Sequence, residues 1–172
     1  MLTNTRARVR DAALVLDTIG KQTVATDTVS ALSFRLGLQC RRSLHREYLR
    51  CRTTADFVDF ARRHFPGPFS QIPKEITSFL EYAAEESPRL VSEVGTQFGG
   101  TNFLLSQAIP SVTRMVGVDL FVRNRTRLQT FKKPYQEIRL LNGSSQTEAM
   151  RRRVAAALDG AELDLLLSLI HI

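Results

Sequence analysis

The sequence predicts an α/β protein built on a Rossmann-like, doubly wound parallel sheet, and three features predict it. Short apolar runs at 89–94, 114–119, 137–141 and 163–167 alternate with stretches of helical periodicity. The connections between them are short, as in sheets whose parallel strands are joined through helices. The first run leads directly into Gly95-Thr96-Gln97-Phe98-Gly99-Gly100, a glycine-rich turn placed between a strand and a helix.

Four helices are expected before the break at Pro66-Gly67-Pro68. Residues 6–19 place Val9, Ala12, Ala13, Leu16 and Ile19 at helical spacing, and Gly20 stops the run. Residues 28–38 form a second helix and the arginine-rich 41–50 a third. The fourth, 54–65, has Thr53 or Thr54 as its cap and Phe57, Val58, Ala61 and Phe65 on one face. Pro66-Gly67-Pro68 is the strongest punctuation in the chain and sets a boundary. Residues 1–65 are read as a helical N-terminal extension, and 66–166 as the sheet-bearing domain, ending at Leu166.

Within that domain, 73–86 is an amphipathic helix that turns Ile76, Phe79, Leu80 and Ala83 inward. Ser87-Pro88 ends it, because a proline disfavours helix in the residue before it. The first strand and its glycine turn follow, then a helix at 101–109 and a break at Pro110-Ser111. Between the second and third strands, 121–133 carries Arg123, Arg125, Arg127, Lys132 and Lys133 and reads as a solvated basic loop, the alternative being a cover over a ligand or a contact to an acidic acceptor. A helix at 145–158, capped by Ser144 or Ser145 and closed by Asp159-Gly160, leads to the fourth strand.

Composition narrows the function classes. The chain has 172 residues, 43% hydrophobic and 24% charged, enough apolar content for a packed core without a disulfide or metal staple. The longest uncharged stretch, 94–113, contains Gly95, Gly99, Gly100 and Pro110, so it is not a membrane span. No apolar run with a cleavage site opens the chain, and a cytoplasmic protein is the expectation. Cys40 and Cys51 match no zinc or redox spacing, and His45, His64 and His171 form no metal signature.

The formal charge of +7 is uneven: residues 1–70 hold 12 Lys+Arg against 6 Asp+Glu, and residues 71–172 hold 12 against 11. A basic N-terminal part suits a non-enzymatic binding module acting on nucleic acid or an anionic glycan. That reading stays as the rival from another class, although no aromatic platform or DNA-binding motif accompanies the charge.

The glycine turn carries the chemistry. Glycines allow a sharp turn and close approach of a ligand to the backbone, and the free N–H groups of the following helix favour electronegative atoms. The spacing is not the G-x-G-x-x-G of a dinucleotide site, which counts against an NAD-dependent oxidoreductase. Glu93 precedes the first glycine and would repel a pyrophosphate while suiting an ammonium group. Asp119 ends the second strand, where a carboxylate can accept both hydroxyls of a ribose. An early acid, a glycine turn and a late acid together describe an adenosyl amino acid.

These residues resemble motif I of the class I S-adenosylmethionine-dependent methyltransferases. More narrowly, VSEVGTQFGGTNFLLSQ, RMVGVDL, IRLLNGSSQT and LDLLL look like the group of cephalosporin hydroxylases and rhamnosyl O-methyltransferases. The resemblance implies S-adenosylmethionine as cofactor, with Glu93, Gly95, Thr96, Gly99 and Gly100 lining its methionine end and Asp119 binding its ribose. It also implies that Asn142-Gly143-Ser144-Ser145 lies beside adenine, with Gly143 and Ser144 in contact. The implied reaction is methyl transfer to a hydroxyl of a sugar or natural product, with homo-oligomerisation left open.

Relatives carry an Asp-Gly-Asp-His-type run after the fourth strand for metal binding and catalysis, with Mg2+ as the implied ion. The resemblance puts that run beyond Leu166, where this chain reads Leu167-Ser168-Leu169-Ile170-His171-Ile172. LSLIHI back-translates to a transposon end used in sequencing libraries, so 167–172 is expected to be an artefactual tail. The expectation is then a fragment holding the first four strands of a seven-strand sheet, with the catalytic region after Leu166 missing and little turnover of its own.

Overall fold

The computed structural model describes residues 38–65 and 71–169. The helices expected at 6–19 and 28–38, apart from Leu38, and the Pro66-Gly67-Pro68 break lie outside the described residues.

Among the described residues three helices precede the sheet: α1 (Leu38–Tyr48), α2 (Thr54–His64) and α3 (Pro73–Glu85). Then follow β1 (Leu90–Val94), α4 (Gly100–Ala108), β2 (Arg114–Asp119), α5 (Arg125–Phe131), β3 (Glu137–Asn142), α6 (Glu148–Ala157) and β4 (Leu165–Ser168). Thr53 caps α2 through a reciprocal box: its hydroxyl accepts from the Asp56 N–H at 3.2 Å, and the Asp56 carboxylate accepts from the Thr53 N–H at 2.8 Å. A further bond from the Arg52 N–H joins these in holding the Asp56 carboxyl below the usual carboxylate range. Pro73 opens α3, where its missing N–H costs nothing.

The four strands form one parallel sheet in the order β3-β2-β1-β4. The chain moves outward from β1 to β2 to β3 and then returns to the other side of β1. α4 and α5, which cross from β1 to β2 and from β2 to β3, pack on one face, and α6, which makes the return crossover, packs on the other. The strand order therefore reverses at β1, and ligands of open α/β sheets sit at the carboxyl ends of the strands at such a point.

One face of the sheet presents Val91, Met115, Ile138, Leu140, Leu165 and Leu167 to the larger core. Helices α1 to α5 close this core, with Val58, Phe60, Leu80, Phe103, Leu104, Leu128 and Phe131 among its members. Phe60 and Phe65, from α2 and its end, share it with Phe103 of α4. The smaller core lies on the opposite face, where Val116 and Val118 meet Met150, Ala157 and Leu158. Burial on both faces explains why β2 reads as a nearly continuous apolar run.

β4 is tied to β1 at its start, where the Asp164 carboxylate accepts from the Arg89 and Leu90 N–H groups, both at 2.8 Å. The boundary expected at Leu166 falls inside this strand rather than at its end. Leu166 pairs with Ser92, and the register runs on without a break through Leu167 opposite Glu93 and Ser168 opposite Val94. The Leu169 N–H then donates to the Val94 carbonyl at 2.8 Å. Backbone pairing with β1 therefore carries the sheet past Leu166 into residues that the sequence assigns to the tail. Strand alternation turns the Leu166 side chain away from the larger core that Leu165 and Leu167 join, and it is 58% exposed.

Two readings need correction. The stretch 121–133 is not a solvated loop: it contains α5, which buries Leu128 and Phe131. Its basic residues are tied into the protein. Arg125 donates to the Leu140 carbonyl and the Asn142 side chain, Arg127 to the His64 carbonyl, and Lys133 to the Gln107 carbonyl. The helix expected to begin at 145 begins at Glu148, and its cap is Thr147, whose hydroxyl accepts from the Met150 N–H at 3.2 Å. Ser144 instead makes a local turn, its hydroxyl accepting from the Gln146 N–H and its carbonyl from the Thr147 N–H.

Candidate functional site

The site forms where β1 ends. Gly95 and Gly99 take φ of 93° and 82°, left-handed values that L side chains rarely adopt. Between them the backbone reverses from strand to helix, and α4 starts at Gly100. The turn is fastened to the next strand, because the Gly95 and Thr96 N–H groups donate to the Val118 carbonyl at 2.8 and 3.2 Å. The first N–H groups of α4 have no partner within the helix and point out of its start.

Asp119 stands at the tip of β2, half-buried. Its Oδ2 accepts from the Gln97 N–H at 2.9 Å and its Oδ1 from the Phe121 N–H at 3.0 Å. The carboxylate thus bridges the glycine turn of β1 and the chain leaving β2. A carboxylate has about four lone-pair sites, so two bonds leave acceptor capacity for further donors.

The segment after Asp119 is strapped over the same turn. The Arg123 N–H donates to the Gln97 carbonyl at 2.8 Å, and the Asn124 side chain donates to the Phe98 carbonyl at 2.9 Å. The Arg123 guanidinium lies 4.5 Å from the centre of the Phe98 ring. Gly143 follows β3 with φ of 140°, and its N–H donates to the Asp119 carbonyl at 2.8 Å. The structure therefore gathers Gly95, Thr96, Gly99, Gly100, Asp119 and Gly143 at the carboxyl ends of β1, β2 and β3, with Ser144 next in the chain. Asn142 is occupied elsewhere, its Oδ1 accepting from the Val122 N–H at 3.0 Å and from Arg125 at 2.6 Å.

Glu93 lies on the same sheet face as Asp119, since it pairs with Gly117, two residues before that carboxylate. Its side chain is fully buried beneath α4, where Oε2 accepts from Asn102 Nδ2 at 3.1 Å. Burial pushes its carboxyl up to about 7, opposed in part by the Asn102 amide and the neighbouring Thr96 hydroxyl and helped by the charge of Asp119. Glu93 thus meets the turn from below, while Asp119 meets it from the side.

Asn102 is the residue that sequence reasoning missed. The available signal was a polar amide three positions into a short helix, GTNFLLSQA, that is buried along nearly its whole length. Gly117 belongs to the same spot. A Cβ there would come within 2.8 Å of Thr96 Oγ1 and Leu140 Cδ2 and 2.9 Å of Asn102 Nδ2. Gly117→Ala is therefore expected to displace the Asn102 amide from Glu93 and cost about 1–3 kcal/mol, read as a lower urea midpoint. An unchanged midpoint would show that the packing here is loose.

A polar cavity of about 540 Å³ lies on the α1–α2 surface, lined by residues that include Arg46, Arg50, Asp59 and Arg63. None of its lining comes from the strand ends. Part of its charge is already matched within the protein, as Glu47 pairs with Arg63 and with His64. The described residues beyond Leu166 are Leu167, Ser168 and Leu169, which offer neither a carboxylate nor an imidazole to the site. Among the described residues no three His, Cys, Asp or Glu side chains come together as metal ligands. Among the same residues no helix is long and apolar enough to cross a membrane.

A search of curated proteins finds no match to this chain. A family model described as rhamnosyl O-methyltransferase/CmcI matches residues 59–169, which include the whole sheet, the glycine turn and both carboxylates. That match spans more than half of a chain whose four parallel strands carry a glycine turn at the point of strand reversal, and the chain accordingly belongs to the rhamnosyl O-methyltransferase/CmcI family, a family of methyltransferases.

Proposed function

We propose that the site binds S-adenosylmethionine and serves methyl transfer to a hydroxyl of a sugar or natural product. The observation that carries the reading is the half-buried Asp119 carboxylate facing a glycine turn across neighbouring strand tips, bonded to the Gln97 N–H of that turn. The donor set fits such a cofactor. Free N–H groups at the start of α4 suit the carboxylate of an amino acid. Asp119 retains acceptor capacity for two ribose hydroxyls. Gly95, Thr96, Gly99 and Gly100 line the methionine end, and Gly143 and Ser144 flank the adenine.

The cofactor supplies a methyl group already activated by a positive sulfur. What this chain's residues contribute is position. The two fastened glycines fix the backbone under the amino-acid end, and Asp119 sets the direction of the ribose. An acceptor oxygen must lie in line with the methyl carbon and the sulfur, and such alignment is a large source of rate in transfer reactions.

Isothermal titration with S-adenosylhomocysteine and with NAD tests the proposal. Saturable binding of the first and none of the second is expected. Preference for NAD, or binding of neither by the folded protein, would overturn it.

A further inference from the structure

Two buried polar atoms at the base of the glycine turn lack hydrogen-bond partners: Glu93 Oε1 and Asn102 Oδ1. They belong to residues already joined by the bond from Asn102 Nδ2 to Glu93 Oε2. If the glutamate is charged, both orphans are acceptors, and the one Thr96 hydroxyl beside the carboxylate cannot serve both. A buried acceptor without a donor is costly, and a buried charge more so. One proton removes all three difficulties. It neutralises the carboxyl, turns Oε1 into a donor, and allows a second bond, from Oε1 to Asn102 Oδ1, beside the one from Asn102 Nδ2 to Oε2.

We infer that Glu93 carries a proton in the folded protein and pairs with Asn102 as a neutral acid–amide couple that positions the glycine turn and the start of α4. The surroundings support this. Opposite Glu93 across the sheet stand Gly117 of β2 and Leu167 of β4, and above it Thr96 and Asn102 close the space. Among the described residues the one charged group acting on it is Asp119, and that charge is negative. Among the same residues no cation acts on it to hold a carboxylate. The carboxyl is accordingly pushed up to about 7 by its burial.

The couple makes the site sensitive to pH. Folded Glu93 keeps its proton to about 7, whereas the unfolded chain loses it near the ordinary value of 4.5. The folded state therefore binds more protons between these values, and this contribution to stability falls as pH rises through them. Above about 7 a charge appears beneath the turn and the second bond to Asn102 is lost. Glu93 is in this sense a positioning residue, and its effect on cofactor affinity rests on the proposed function above.

Two measurements on the protein without ligand decide the inference. Infrared spectroscopy at about pH 6 should show the carbonyl band of a protonated carboxylic acid, absent from Glu93→Gln and fading in the parent as pH passes about 7. Over about pH 5 to 8 the parent should lose thermal stability relative to Glu93→Gln, whose amide is neutral throughout. No acid band, equal slopes in the two proteins, or a Glu93→Gln variant that does not fold would each overturn the inference.

A third measurement connects the couple to the cofactor. The dissociation constant for S-adenosylhomocysteine should rise several-fold from about pH 6 to about pH 8 in the parent and not vary with pH in Glu93→Gln. Affinity that improves with pH, together with loss of binding in the variant, would make Glu93 an ionised partner of a ligand cation and overturn the inference. Absence of binding in both proteins at every pH would sink the cofactor reading and leave the infrared and thermal results to judge the couple.

Discussion

Phe103→Ala is expected to lower the unfolding free energy by about 3–5 kcal/mol, the range for removing a buried aromatic ring. Phe103 comes from the middle of α4 and is 1% exposed. Its ring lies 4.8 Å from that of Phe65, 5.4 Å from Phe60 and 5.7 Å from Phe131, with Phe57 and Tyr48 just beyond 6 Å. Five rings from three separate segments, α1, α2 with its end, and α5, thus converge on one. Removing it leaves a space that none of them can fill by a simple rotation, because they also pack on one another. A domain of this size has about 5–15 kcal/mol in all, so the variant loses a large share. Urea unfolding provides the measurement, with Tyr82→Ala as control. Tyr82 is 64% exposed, and its replacement should stay within about 0.5 kcal/mol. A loss below about 1 kcal/mol for Phe103→Ala would mean that α1 and α2 do not dock on α4 in solution.

The strands were legible because parallel strands covered on both faces write a near-continuous apolar run, as RMVGVD does. The glycine turn was legible for a similar reason, since backbone geometry at Gly95 and Gly99 demands φ of 93° and 82°. Local demands of this kind appear in the sequence directly. α5 did not appear, because seven residues offer hardly two turns, and only Leu128 and Phe131 face inward. Its arginines read as solvent-facing, yet Arg125 and Arg127 find carbonyl partners 15 and 63 residues away in the chain. No window along the chain contains such a partner.

The cap of α6 was misread by the same logic at shorter range. Ser144 has a capping side chain, but after Gly143, at φ of 140°, it enters a turn of its own and the helix waits for Thr147. Glu93 shows a further limit. A glutamate before a glycine turn can line the cleft or lie under it, and the chain is written the same way in both cases. Asn102, nine residues later, distinguishes them only after the helix has folded over the sheet.

Asp119→Ala is expected to weaken S-adenosylhomocysteine binding by about a hundredfold or more. That size follows from two hydrogen bonds between a carboxylate and ribose hydroxyls, each worth roughly 1.5–3 kcal/mol, with every 1.4 kcal/mol a factor of about ten. The same carboxylate holds the Gln97 and Phe121 N–H groups, so a loosened turn contributes to the loss as well. Asp119→Asn separates the two effects. Its single side-chain oxygen can keep one of those backbone bonds, but its NH2 presents donors where the N–H groups and a diol need acceptors. Thermal stability of the unliganded variants reports the turn, and titration reports the ligand. If Asn restores most of the stability lost in Asp119→Ala but little of the affinity, the charge at the tip of β2 acts on the cofactor. If affinity and stability recover in step, Asp119 is a brace for the glycine turn, and the ribose assignment is wrong.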